Sequence, residues 1–301
     1  MNGALAVSRY TLVELSRRRL LLVFFIIGAG GIAILGAVLK IFSSTLGGNV
    51  NIVAPNAPAP DPEKVRQVLE LGFVSDLISV LGIFAILIAF AIGMTAIYHD
   101  LESGAAVAIF SKPVSRLAFT AGKLAAAIAA MIVIVGLLSL EARLAMLLFG
   151  GGLEQALWFE TLASVANGVT LMMLVLALST WMNNIVAAVV AFIYNAVAGI
   201  VVALHHQLDA GNLGDNAIVH GVLNVVYWLV PHSLVSDAPR EIARAQFQLF
   251  NPQSSSGGGP SADQIVAGIP GASDITDIVW WVFTIAVLTT LVYVAVRRRQ
   301  V

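Results

Sequence analysis

At 301 residues, 59% hydrophobic and only 11% charged, the chain lies far from the ~25% charged, ~45–50% apolar mix of a soluble domain, which excludes a water-soluble fold. Its balance of -1, with basic residues in short scattered groups, excludes a nucleic-acid surface, and without cysteine there is neither a disulfide nor a thiolate metal site. The apolar runs are continuous rather than alternating, so helices rather than a barrel must satisfy the backbone in lipid: an all-α polytopic membrane protein, one domain over residues 1–301.

Arg17, Arg18 and Arg19 stand ahead of the first apolar run and no small-residue cleavage pattern follows it, so the N-terminus is expected to stay attached as an anchor. The first span reads as Leu20 to Phe42, with Ala29, Ala33 and Ala37 on a short stripe. Gly28, Gly30 and Gly31 lie too deep in it for a nucleotide loop and suit close helix packing. After a Pro- and Asn-rich outer loop, Asn51 to Pro60, Asp61 and Pro62 read as an N-cap and first-turn proline, which predicts a short helix before the second span, Val74 to Tyr98.

The connection from Tyr98 to Arg116 has Asp100 and Glu102 suited to the positive end of a helix dipole, and Pro113 to break that helix. Between them the apolar run Ala105 to Phe110 suits a helix lying on the membrane surface or inserted in a partner's groove. The third and fourth spans read as Gly122 to Phe149 and Leu157 to Leu178; Glu141 and Arg143, far along the overlong third, are expected to snorkel at the outer interface or pair with a neighbouring helix. The fifth, Ile185 to Leu204, carries Ala187, Ala191, Asn195, Gly199 and Ala203 at every fourth position. This row reads as one small-residue face, for packing within the subunit, for a subunit interface or for lining a pathway.

A long outer segment, residues 205–277, follows. Within it Ala217 to Val235 is nearly long enough for a seventh span, but His220, Asn224, Pro231 and His232 favour a re-entrant or interfacial helix, with Tyr227 and Trp228 at the interface. Ser254 to Pro260 is a low-complexity stretch, and the sixth span reads as Ile278 to Val296. His205, His206, Asp209, His220 and His232 lack the spacing of a zinc site and read as imidazoles bonded to water or backbone, so no metal is expected.

Six spans place Arg9, Arg17, Arg18, Arg19, Lys112, Arg116, Lys123, Arg297, Arg298 and Arg299 on one side, which makes that side cytoplasmic and both termini inward. The acidic residues gather opposite, among them Asp61, Glu63, Glu70, Glu154, Asp215, Asp237, Glu241, Asp263, Asp274 and Asp277. No ionisable residue falls near the middle of a span and no internal repeat is visible, which argues against a proton-coupled carrier and a charge-lined channel.

The pattern Asp100-x-Glu102-x-Gly104, then Ser111-x-Pro113-x-Ser115-Arg116, then Gly122-Lys123 resembles the permease subunits of type-two ABC exporters. The resemblance implies six spans, an amphipathic elbow helix before the first, a cytoplasmic coupling helix between the second and third, and short outer helices between the fifth and sixth. Ala4 to Arg19 is similar to the elbow, with Val7, Tyr10 and Val13 for its apolar side and Glu14 directed toward Arg18. By the same resemblance Asp100, Glu102, Gly104, Ser111, Pro113 and Arg116, with Arg9 and Glu14 on the elbow, form the ATPase-coupling element.

The family pattern also implies a permease that pairs with a second copy or paralogue and docks ATP-binding cassette subunits. Gly122-Lys123 lacks the upstream glycine and the following Ser or Thr of a P-loop, so this chain is expected to hold no cofactor and to be no enzyme; ATP and Mg belong to the partner. The expected role is ATP-driven efflux of a lipophilic or amphiphilic cargo through the plasma membrane of a bacterium or archaeon. The alternative is a mechanical transmitter that passes ATP-driven motion to an extracytoplasmic partner without moving a substrate.

Overall fold

The computed structural model describes residues 2–49, 62–98, 114–149, 154–209, 217–230, 233–250, 266, 269 and 271–298. Helices alone make up the described secondary structure: α1 (Asn2–Ser16), α2 (Arg19–Asn49), α3 (Pro62–Thr95), α4 (Arg116–Phe149), α5 (Glu154–Trp181), α6 (Asn184–Asp209), α7 (Ala217–Leu229), α8 (Ala238–Phe250) and α9 (Ile275–Arg298). Six of them, α2 to α6 and α9, are long and apolar enough to cross a membrane. The helix starts are written in the sequence. The Ser115 hydroxyl accepts from the Ala118 N–H at 3.1 Å, the Asn183 side chain from the Ile185 N–H at 2.9 Å, and Asp274 from the N–H groups of Thr276 and Asp277.

One expectation about elements changes. Pro62 opens a helix, but that helix is α3 itself rather than a short separate one, because no Gly or Pro interrupts the chain until Gly72; Asp61 lies outside the described residues. At 34 residues α3 is ~50 Å long, well beyond the ~30 Å hydrocarbon core. The stretch Ala217 to Val235 resolves into α7, only 13 residues, followed by non-helical Ser233 to Ser236, so by length it is no seventh span. Pro231 and His232 lie outside the described residues.

The bundle is built around α5, which packs against α3, α4, α6 and α9. Glycines permit the closest contacts. A methyl at Gly93 of α3 would stand 2.9 Å from the Met172 carbonyl oxygen of α5, and one at Gly168 would collide with the Met131 side chain of α4. Of Gly28, Gly30 and Gly31 in α2, Gly28 is in close packing, where an added carbon would lie 3.1 Å from the Phe84 ring, and Gly30 and Gly31 face open space. Of the alanine stripe on α2, Ala29 packs against the core whereas Ala33 and Ala37 are exposed.

The six long helices alternate in direction, and cross-contacts fix their ends. At one end Asn184 donates to the Met94 carbonyl (2.9 Å), Arg298 lies over the Trp181 ring (5.8 Å), and Arg116 reaches the last carbonyls of α9. The ends of α3, α5 and α9 and the starts of α4 and α6 therefore share one base, as do α1 and the start of α2. The other ends meet α7 and α8. The chain leaves α3 at Tyr98 and re-enters α4 after Val114 at the base, so both flanks of residues 99–113 stand there.

Candidate functional site

At the base, α1 lies against α4 so closely that a methyl on Gly122 would come within 2.5 Å of the Ala4 carbonyl oxygen and 2.9 Å of Val7 Cβ. The face of α1 turned inward is Val7, Thr11 and Leu15, spaced four apart, as a helix requires. Tyr10 (57% exposed) and Val13 (45%) point outward, so the expected apolar side of Val7, Tyr10 and Val13 is corrected to that stripe. The shift has a physical cause: α1 packs its small and aliphatic face on a helix and presents Leu5, Tyr10, Leu12 and Val13 on its free side.

Beside this contact, Lys123 of α4 is fully buried, and its Nζ meets Glu14 Oε2 of α1 at 3.2 Å while standing 5.8 Å from the Tyr10 ring centre. The other Glu14 oxygen takes Arg18, one helical turn on. A carboxylate between two cations thus joins α1, the turn before α2, and α4. Burial alone would raise the Glu14 carboxyl, but Arg18 and Lys123 together outweigh it and hold it below its ordinary value of 4.5.

A depressed folded value means that this stabilisation is fully present above the unfolded value and is lost only as pH falls through the lower folded one. The protection of the α1 amides relative to their intrinsic exchange rates is therefore expected to be unchanged from neutral pH to about pH 5 and to fall in more acid solution. Glu14→Gln, with nothing to titrate there, is expected to lack that acid step.

Arg116 does not point away from the bundle. Its guanidinium donates to the carbonyls of Val296 (3.2 Å) and Arg297 (2.8 Å), so it caps the C-terminus of α9 where the helix dipole is negative. One side chain thereby ties the first residue of α4 to the end of α9. Arg9 is exposed on α1. Asp100, Glu102, Gly104, Ser111 and Pro113 lie outside the described residues.

At the opposite end a polar lattice fastens the outer segment to α5. Asn167 donates to the Leu234 carbonyl (2.8 Å) and accepts from the Leu234 N–H (2.7 Å), pairing with a backbone as a strand would. Glu160, two turns earlier, accepts from Ser236 (2.6 Å) and Ser164 (3.3 Å). Ser273 bonds Val235 in both directions, Asp237 accepts from the Ala272 N–H (2.8 Å), and Tyr227 donates to Asp277 (2.8 Å). Trp281 of α9 donates to Thr170 at 2.8 Å. The sequence reading missed this lattice. Its signal was present in Glu160, Ser164 and Asn167, polar residues at helical spacing in an apolar span.

A model of the ABC-2 family transporter proteins matches residues 15–301, which takes in all six long apolar helices and both ends of the bundle. The chain belongs to the ABC-2 transporter permease family. A comparison with curated proteins returned no match. An ABC-2 permease is the membrane component of an ABC transporter, which implies an ATPase partner and usually a dimer of permeases.

In this ABC-2 permease the row of small residues on α6 does not form one face. Ala187 and Ala191 are buried in the chain's own core, Asn195 is half-buried, and Gly199 and Ala203 are exposed. Steps of four residues overshoot a 3.6-residue turn by ~40° each, so the row winds roughly 160° around the helix between its ends. Asn195 and Tyr194 border a small polar recess with Asn167, Thr170 and Ser233, of about 20 Å³, room for one water. Of Glu141 and Arg143, Arg143 lies 4.8 Å from the Trp158 ring of α5, a pairing with the neighbouring helix. His205, on α6, stacks on Tyr227 of α7 at 4.1 Å.

Proposed function

We propose that this permease couples ATP hydrolysis by a separate cassette ATPase to efflux of a lipophilic or amphiphilic cargo across the plasma membrane of a bacterium or archaeon, working as a pair of permeases. The observation that carries the reading is the base of the bundle. Both flanks of residues 99–113 stand there, and the residues next to them are tied directly to other helices: Arg116 to the end of α9, and Lys123 through Glu14 to α1. A push on residues 99–113, which include Asp100, Glu102, Gly104, Ser111 and Pro113, moves α1, α4 and α9 together. Arg9 on the exposed side of α1 adds a second contact for the ATPase.

The base also gathers positive charge: Arg9, Arg17, Arg18, Arg19, Arg116, Lys123, Arg297 and Arg298. This supports a cytoplasmic base and inward termini. Spans without a charge near their middle favour a cargo that needs no counter-ion in the membrane. Gly199 and Ala203, exposed on α6, and Asn195 beside them are offered to the second copy or to the cargo path.

The test is co-purification from cells that express the chain with its neighbouring genes. A cassette ATPase is expected to accompany the wild type, and Glu102→Arg is expected to lower its retention and cargo-stimulated hydrolysis by about tenfold or more, since a reversed charge at a docking contact is repulsive. An unchanged complex with Glu102→Arg, or no ATPase at all, contradicts the proposal.

A further inference from the structure

The proposed transport cycle makes no use of a groove of about 410 Å³ between α1, α2 and α4, a size within the ~300–1,000 Å³ of ligand pockets. Leu12, Leu15, Leu22, Phe25, Val133 and Leu137 are among its walls. Its one polar wall residue, Ser16, has its hydroxyl engaged with the Val13 carbonyl at 2.9 Å, so nothing inside the groove recognises a polar ligand. The groove follows α4 from Ala130 to Leu137, two helical turns or ~10 Å along a helix that crosses the membrane. A narrow apolar trough parallel to a membrane-crossing helix has the shape of an extended hydrocarbon chain.

The end of the trough is charged. Ser16 and Leu21, both in its wall, bracket the turn that carries Arg17, Arg18 and Arg19. Arg18 is engaged by Glu14, whereas Arg17 and Arg19 are exposed and have no ion pair among the described residues. Glu14, three residues before Arg17, is already shared by Arg18 and Lys123. The start of α2 at Arg19 adds the positive end of a helix dipole at the same point.

We infer that this trough binds one anionic phospholipid of the leaflet on the side of Arg17 and Arg19, its acyl chain between α1, α2 and α4 and its phosphate on the two arginines. Two unneutralised cations at one end of an apolar trough complement a phosphate that carries a tail; a free anion would leave the trough empty, and a neutral lipid would leave the cations unmatched. The bound lipid would wedge between the elbow position of α1 and the spans, which is where the Glu14–Lys123 pair holds them together. The inference stands on the membrane-embedded fold and not on cargo or ATPase, so the two can fail separately.

The test is native mass spectrometry of the full-length, detergent-purified protein titrated with phosphatidylglycerol and with phosphatidylcholine. The wild type is expected to prefer phosphatidylglycerol, and Arg17→Gln with Arg19→Gln to weaken that lipid by about thirtyfold while leaving phosphatidylcholine unchanged. Val133→Trp, which fills the trough from an exposed position, is expected to weaken both lipids. Equal binding of the two lipids by the wild type, a preference that survives the double arginine variant, or full binding by Val133→Trp overturns the inference. Displacement of phosphatidylglycerol by millimolar inorganic phosphate would overturn it as well, in favour of a free-anion site.

Discussion

Glu14→Ala is expected to detach α1 from α4 and to destabilise the protein by about 3 kcal/mol, because it removes the carboxylate that faces the fully buried Lys123 ammonium. Removing both charges should cost far less. In Glu14→Gln combined with Lys123→Met the buried charge is gone and an aliphatic side chain fills its place, so most of the loss is expected to be recovered. Thermal melting in detergent gives the size of the effect, and hydrogen exchange of the α1 amides locates it. A single Glu14→Ala variant that melts with the wild type and keeps its α1 protection would show that the pair does not hold the helix.

The second large effect is expected at the other end. Asn167→Leu keeps the size of the side chain but removes both of its bonds to Leu234, leaving an N–H and a carbonyl half-buried and unpaired at a cost of roughly 2–4 kcal/mol. Leu234 and Val235 then lose the anchor on α5, and with Val235 goes the two-way contact to Ser273. Amide exchange at Leu234, Val235 and Ser273 is expected to rise by about a hundredfold, as for local opening that follows loss of a few kcal/mol, with α1 unaffected. Exchange that rises equally at both ends would mean that the bundle as a whole has loosened and that Asn167 is no local fastener.

What was legible in the sequence divides along physical lines. The six spans could be read because continuous apolar length is a property of each segment alone, and lipid allows few alternatives. Their ends were less legible: α4 begins six residues before Gly122, at Arg116, since Ser115 caps it and the apolar run says nothing about polar first turns. Short outer helices before the sixth span were expected from the resemblance, but α8 was not located in the sequence, because Ala238, Ile242 and Ala245 show an inward face only once α3 and α5 are beside it.

Side-chain partners across helices were the hardest to see. Arg116 stands in a loop motif and reads as a docking residue, yet its guanidinium caps a helix 180 residues away. Both roles can coexist, but Arg116→Glu would set a carboxylate against the α9 carbonyls and disturb the bundle directly, which makes Glu102→Arg the cleaner probe of docking. Lys123 read as a cytoplasmic basic residue and as the wrong half of a P-loop, whereas packing makes it the buried partner of Glu14. The row from Ala187 to Ala203 looked like one face because four is close to 3.6; the accumulated turn carries its later members out of the core.

The proposed coupling requires that the base of the bundle be cytoplasmic and hold the ATPase through residues 99–113. A chain without cysteine allows it to be tested by single replacements. In intact cells Ser111→Cys is expected to react with a membrane-impermeant maleimide only after permeabilisation and to crosslink to the co-expressed ATPase, while Thr276→Cys at the opposite end reacts without permeabilisation. Labelling of Ser111→Cys from outside, or an ATPase complex in which Ser111→Cys never crosslinks, would contradict the claim.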